Sequence, residues 1–223
     1  QFIYKSSFDK ANRTSIRGKR GIGLEEAMPI FADLKKEFDV PVLTDIHLPE
    51  QCATVAETID VLQIPAFLCR QTDLLVAAAE TGAAINVKKG QFLAPWDMKH
   101  VAAKLVESGN DKVMLCERGI RGFEQFTRFT LDVAAIPVIQ RLSHLPIIAD
   151  PSHSTGKWYL VTPVALAAIA AGAHGLLVEV HPNPDLAKCD GPQSLTFDNF
   201  SLLMEQVDAI KSVRRDPVGA GPA

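Results

Sequence analysis

The chain has 223 residues, is 47% apolar and 22% charged, and carries a formal net charge of −3. That balance excludes a disordered, collagen-like or disulfide-scaffold chain, and its apolar stretches are interrupted before the ~18–20 residues a membrane span needs. The slightly acidic total argues against a nucleic-acid binder working through bulk charge, and Cys52, Cys69, Cys116 and Cys189 lack the paired spacing of a zinc or redox motif, which makes a reducing, cytoplasmic setting the default.

Short Val/Ile/Leu runs recur about every 29 residues with helical stretches between them, the pattern of buried parallel strands joined by crossover helices. The runs are Phe2 to Tyr4, Val40 to Leu43, Val61 to Ile64, Ile85 to Val87, Val113 to Cys116, Ile147 to Ala149 and Leu176 to Val178. Leu24 to Phe38 reads as an amphipathic helix. Asp73 to Thr81 stops at Gly82, and Pro95 to Ser108 opens on Pro and closes at Gly109. Thr162 and Pro163 are expected to open a small-residue helix that Gly172 closes, and Phe197 to Val213 forms the last helix before a Pro/Gly-rich tail. The expected organisation is one barrel domain over 1–213 and a flexible tail over 214–223.

A doubly wound sheet and a (β/α)8 TIM barrel both use such units. The barrel is favoured because polar and charged residues follow almost every strand, and no glycine-rich phosphate turn follows the first one. GKRGIG at Gly18 to Gly23 has the wrong spacing and reads as a loop, so no nucleotide cofactor is expected. Eight units would need about 232 residues. The chain also starts on Gln1 inside an apolar run, so a barrel lacking its first β/α unit is the expectation.

After the strands come Lys5, Ser7, Lys10 and Arg13; Asp45 and His47; Arg70; Lys88 and Lys89; Glu117 and Arg118; Asp150 and His153; Glu179 and His181. A barrel brings such groups to one face, and a predominantly basic mouth calls for phosphates or carboxylates. A lone Lys or Arg after a strand is ordinarily a solvated loop charge; it is the convergence that argues for a site. His153, His181, Glu179 and Asp190 offer nitrogen and carboxylate ligands compatible with a divalent metal of the Mn, Fe or Zn type, although a plain polar network uses the same residues. Cys69 and Cys116 are expected as core fillers, and Trp96 and Trp158 as packing residues.

Lys5 to Ser15 (KSSFDKANRTS), Thr44 to His47 (TDIH), Gln63 to Leu75 (QIPAFLCRQTDLL) and Asn86 to Met98 (NVKKGQFLAPWDM) resemble the 3-deoxy-D-manno-octulosonate 8-phosphate synthases, which join phosphoenolpyruvate to arabinose 5-phosphate. Leu115 to Asp132, Asp150 to Lys157 (DPSHSTGK) and Val178 to Ala187 (VEVHPNPDLA) resemble the sister 3-deoxy-D-arabino-heptulosonate 7-phosphate synthases, which use erythrose 4-phosphate. The resemblance implies that Lys88 and Arg118, with Gln91 near them, hold the phosphate of phosphoenolpyruvate, and that Lys5, Ser7 and Lys10 hold its carboxylate. Arg13 and Thr14 would bind the sugar phosphate and Asn12 a sugar hydroxyl. His153, Glu179 and Asp190 match three members of the metal or metal-equivalent quartet.

The candidate catalytic residues are Lys10, Asp45, His153, Glu179 and Asp190. Asn12, where the heptulosonate pattern has Pro, favours the five-carbon sugar; the short loop after Asp150 favours the other. KCDGP at Lys188 to Pro192 resembles metal-independent members, while the motifs at 63–75 and 88–98 resemble metal-dependent ones. The resemblance also implies a homotetramer, and the composition leads to the expectation of a cytoplasmic protein with no nucleic-acid or membrane partner. A Schiff-base aldolase and a non-catalytic sugar-phosphate-binding remnant are the rival readings.

Overall fold

The structure, a computed structural model, describes residues 2–13 and 15–214. It divides into two compact units, one comprising 1–88 and 100–114 and the other 89–99 and 115–223. Thr14 and the tail from residue 215 lie outside the described residues.

The first unit alternates strand and helix: β1 (Tyr4–Lys5), α1 (Leu24–Phe38), β2 (Val42–Asp45), α2 (Cys52–Ala56), β3 (Val61–Ile64), α3 (Thr72–Glu80), β4 (Ala84–Lys88) and most of α4 (Met98–Glu107). β1 to β4 pair in parallel in chain order, with Lys5 beside Leu43, Asp45 beside Gln63 and Gln63 beside Asn86. Because facing residues of neighbouring strands share a side of the sheet, Asp45, Gln63 and Asn86 form one lateral polar row across β2, β3 and β4. The Asn86 amide donates to Gln63 Oε1 at 3.1 Å. Val42, Leu62, Ile64, Ile85 and Val87 are fully buried and make the core.

Two polar side chains fasten this unit. Asp60 accepts from the Val42 N–H at 2.8 Å and pairs with Lys35 at 2.8 Å, tying α1 to the start of β2. Buried Asn110 donates to the carbonyls of Ala79 (3.2 Å) and Ala83 (2.9 Å) and accepts from the Lys112 N–H (2.9 Å).

β5 (Val113–Glu117) gives Leu115 to Glu117 to the second unit, which continues through α5 (Ala135–Leu142), β6 (Ile147–Ala149), α6 (Pro151–Thr155), α7 (Trp158–Ala171), β7 (Gly175–Leu176) and α8 (Phe197–Val213). β5, β6 and β7 are again parallel and consecutive. Each strand run expected from sequence corresponds to a strand, seven in all among the described residues, so the α/β class with parallel strands and crossover helices holds.

One boundary moves substantially. α7 begins at Trp158, placing Pro163 inside it. The preceding apolar turn packs Val161 into the core and extends the helix, at the cost of the single backbone bond that Pro163 cannot donate. The exit is as expected, on Gly172 in the left-handed region at φ 113°. Trp96 and Trp158 are about half exposed, unlike packing residues, whereas Cys69 and Cys116 are buried. No helix among the described residues is long and apolar enough to cross a membrane.

Replacing Asn110 with Ala leaves two carbonyls without their donor and is expected to cost about 2 kcal/mol. The check is a lower urea midpoint at unchanged m-value.

Candidate anion-binding and metal-binding sites

In the first unit, the segment after β1 gathers cations around one hydroxyl. Ser7 Oγ accepts from Lys10 Nζ at 3.0 Å and from Lys5 Nζ at 3.3 Å. At the end of β2, Asp45 contacts His47 Nε2 at 2.9 Å, and the His47 ring stands edge-on to buried Phe8 with centroids 5.8 Å apart. Burial opposes ionisation of Asp45. The His47 hydrogen bond, the Lys5 charge and the Ser7 hydroxyl prevail and hold its carboxyl well below the usual range. Lys88 closes β4 with its side chain buried. Asn12 and Arg13 are both exposed, and Arg13 Nε donates to the Lys19 carbonyl at 3.0 Å, which orients its guanidinium. The stretch Gly18 to Gly23 is a loop whose Gly23 N–H donates to the Phe8 carbonyl at 3.0 Å.

The second unit carries an arginine-bearing loop over 118–132. Lys89 and Glu117 form a buried ion pair at 3.1 Å, with side-chain exposures of 1% and 0%. Glu117 Oε1 also accepts from the Gly119 N–H (2.7 Å) and the Asp132 N–H (3.3 Å), so one carboxylate clamps both ends of the loop. Burial pushes the Glu117 carboxyl up, against the opposing pull of Lys89 and of those two N–H groups. Above the clamp, Ile120 and Thr130 exchange backbone bonds, and the Arg128 and Phe129 N–H groups donate to the carbonyls of Thr155 (3.1 Å) and Ser154 (2.7 Å). Gly119 has φ 105°, and a Cβ there would stand 2.7 Å from that of Phe129, so the turn requires glycine.

Arg118 and Arg121 both lie against the Phe129 ring, 4.4 and 4.5 Å from its centroid. Arg118 is 5% exposed, and its Nη1 is buried with no hydrogen-bond partner. Burial pulls the Arg118 guanidinium downward although Asp150 supports its charge. A buried cation with an unused donor is a ready site for an anion. Buried Gln91 accepts from the Arg121 N–H through its carbonyl at 3.0 Å.

His153, Glu179 and Asp190 come together in the same unit, with ligand atoms all within 4.8 Å of one another. The donor set and its surroundings fit a divalent cation. Asp150 caps α6 by accepting from the His153 N–H (2.9 Å) and holds His153 Nδ1 at 2.9 Å. That contact puts the ring proton on Nδ1 and leaves Nε2, 3.6 Å from Glu179 Oε1, as the donor lone pair. Glu179 Oε1 is itself buried without a hydrogen-bond partner. His181, the fourth group in the sequence reading, does not join the cluster; its Nδ1 accepts from the Asn183 N–H at 3.0 Å.

Arg128, absent from the sequence candidates, donates to Gln193 Oε1 at 3.2 Å and lies 3.6 Å from Asp190. An open cavity of about 410 Å³ adjoins it, lined among others by Phe126, Lys157 and Gln193. Sequence reasoning placed Lys89 and Glu117 at the strand ends but gave them no role. The only signal was the doubled lysine, Lys88 at the end of β4 and Lys89 just past it, both buried in the structure.

The model of the DAHP synthetase I family matches residues 1–213. A 2-dehydro-3-deoxyphosphooctonate aldolase of Rhizobium meliloti is 53% identical over 224 residues, covering 96% of this chain and 79% of that protein. Its counterpart from Agrobacterium fabrum is 54% identical, over 96% of this chain and 78% of that protein. A crystal structure of a phospho-2-dehydro-3-deoxyheptonate aldolase (DAHP synthase) from Thermotoga maritima aligns with a TM-score of 0.88 at 37% identity over 94% of this chain, which spans 60% of the length of that one.

Two measurements test the electrostatics. Glu117→Gln strands the Lys89 charge and is expected to cost about 3–5 kcal/mol, whereas the double variant Lys89→Met/Glu117→Gln costs less than the sum of the singles in a denaturation double-mutant cycle. Because the folded Asp45 carboxyl lies below its unfolded value, it stabilises the protein at neutral pH, and that contribution drains away as pH falls below about 4. Asp45→Asn is therefore expected to lower the neutral-pH melting temperature and flatten its acid dependence.

Proposed function

The chain belongs to the DAHP synthetase I family, and on that premise we propose that it condenses phosphoenolpyruvate with arabinose 5-phosphate and water, giving a 3-deoxy-2-ulosonate phosphate and inorganic phosphate, as a cytoplasmic homotetramer. The observation that carries the choice of acceptor is the identity of 53–54% over 96% of the chain to two proteins that bear the octonate aldolase name.

The chemistry follows from where charge develops. Carbon 3 of phosphoenolpyruvate attacks the aldehyde carbon, and the aldehyde oxygen gains negative charge and takes up a proton. Carbon 2 becomes cationic, water adds there and loses a proton, and the new hydroxyl then closes to the ketone, giving up its proton, as the carbon–oxygen bond to phosphate breaks. In the first unit, Lys5, Ser7 and Lys10 take the carboxylate, Lys88 takes phosphate, and Arg13, Thr14 and Asn12 take the phosphorylated sugar. In the second unit, Arg118, whose Nη1 has a donor to spare, takes phosphate, and Gln91 lies beside the loop that carries it. These cations bind phosphate more strongly as it leaves than while it is an ester, because the leaving group carries more charge.

Asp45 and its His47 partner are suited to move the proton of the added water. Asp45 is ionised across the neutral range, and its contact with His47 Nε2 at 2.9 Å joins a carboxylate acceptor to an imidazole. His153 Nε2, Glu179 and Asp190 would hold a divalent metal of the Mn, Fe or Zn type, which when bound supplies Lewis-acid polarisation of the acceptor's carbonyl oxygen. The Asp150 carboxylate keeps the His153 ring turned for that task.

The heptonate reading is supported by the 0.88 TM-score to the Thermotoga maritima enzyme. A phosphate-release assay separates the two. Turnover is expected with arabinose 5-phosphate and at most weak turnover with erythrose 4-phosphate; the reverse order would transfer the chain to the sister activity. Arg118→Met is expected to lower kcat/KM for phosphoenolpyruvate by about 10²–10³-fold.

A further inference from the structure

Arg128 occupies an unusual place for a permanent cation. Its guanidinium lies 3.6 Å from the carboxylate of Asp190, one of the three residues that would hold a divalent metal. The position is built. The Arg128 N–H donates to the Thr155 carbonyl at the end of α6, the helix that carries His153. Gly156 follows with φ 70°, and a Cβ there would come within 2.8 Å of the Arg128 Cβ, so the loop and the helix end approach as closely as glycine allows. Arg128 Nη1 donates to the Oε1 of buried Gln193 at 3.2 Å. That contact fixes the amide orientation, since a flipped Gln193 would set its own NH₂ against the guanidinium. Asp190 itself sits in the left-handed region at φ 57°, leading into the short turn Gly191–Gln193.

From this arrangement we infer that Arg128 is a built-in competitor for the metal site: it neutralises Asp190 and opposes the charge of an incoming divalent cation, and so sets the metal affinity of the chain. The inference rests on the proposed metal-ligand role of His153, Glu179 and Asp190. Two cations cannot both draw fully on one carboxylate, and the guanidinium is held in place by backbone and Gln193 contacts and cannot be neutralised by deprotonation. A metal that binds must therefore displace or share the Arg128–Asp190 contact. The side chain is 48% exposed, so part of its field is screened and the effect is moderate.

The test is direct metal binding to the whole chain, read by isothermal titration calorimetry with Mn²⁺ and again with Zn²⁺, in the absence of substrates. Arg128→Met removes the charge while keeping an apolar stem beside Gly156, and Arg128→Lys restores a cation without the planar fork. The expected result is affinity about tenfold tighter in Arg128→Met, with Arg128→Lys close to the wild type. Circular dichroism and the melting temperature of the metal-free variants check that each is folded. Equal or weaker binding in Arg128→Met would overturn the inference, because it would make Arg128 neutral toward the metal or a residue that positions Asp190 for it. Absence of binding in all three proteins would overturn it as well. Phosphate release with arabinose 5-phosphate by the same preparations is a separate readout, so failure of the metal inference does not count against the synthase reading.

Discussion

The buried Lys89–Glu117 pair is the constraint on which the second unit's chemistry depends. Removing two charges from water is costly, and at 1% and 0% exposure neither is rescued by solvent. Apolar residues of similar volume would fill the space at least as well. What they could not do is hold the ends of the loop: the same carboxylate binds the N–H groups of Gly119 and Asp132 and thereby fixes where 118–132 leaves and returns. Lys89 also donates to the carbonyls of Gly90 and Leu93, which fastens the segment that brings Gln91 in. Arg118, Arg121, Phe129 and Arg128 hang from that clamp.

Internal partners reorder the electrostatics expected of so many strand-end cations. In the second unit Lys89 is answered by Glu117 and Arg128 by Asp190, and in the first the Asp45 field answers Lys5 in part. In the second unit the demand for an external anion is therefore concentrated on Arg118, whose Nη1 has no hydrogen-bond partner. A site in which some cations are neutralised and others are left with spare donors discriminates between binding positions. A uniformly basic surface attracts anions without placing them.

Much of the fold was legible because the relevant signals are local. Leu24–Phe38 and Phe197–Val213 are helices at the expected boundaries, the second opened by Thr196 accepting from the Asn199 N–H. Strand limits were less legible, because pairing and not apolarity ends a strand. β2 runs on through Thr44 and Asp45, and β7 stops at Leu176, two residues before its apolar run does. In the site, residue types and order singled out Arg118, His153, Glu179 and Asp190, and the structure adds the contacts that sequence cannot carry. Those include the Asp150 hold on His153, the Glu117 clamp and the reach of Arg128 to Asp190. The first is a local i,i+3 contact at the start of α6, whereas the Glu117 reach to Asp132 and the Arg128 reach to Asp190 join groups brought together by chain reversal, with no periodicity to announce them. His181 shows the converse: a strand-end histidine with the right chemistry whose ring is spent on a local turn.

On the proposed function, these cations stabilise phosphate as it departs from carbon 2 of phosphoenolpyruvate. Turnover of phosphoenolpyruvate carrying ¹⁸O in the bridging position, with arabinose 5-phosphate as acceptor, tests it most directly by mass analysis of both products. Carbon–oxygen cleavage predicts that the label is recovered in inorganic phosphate and that carbon 2 of the sugar acid takes its oxygen from water. Recovery of the bridging label in the sugar acid would mean phosphorus–oxygen cleavage and would contradict departure of phosphate from carbon 2.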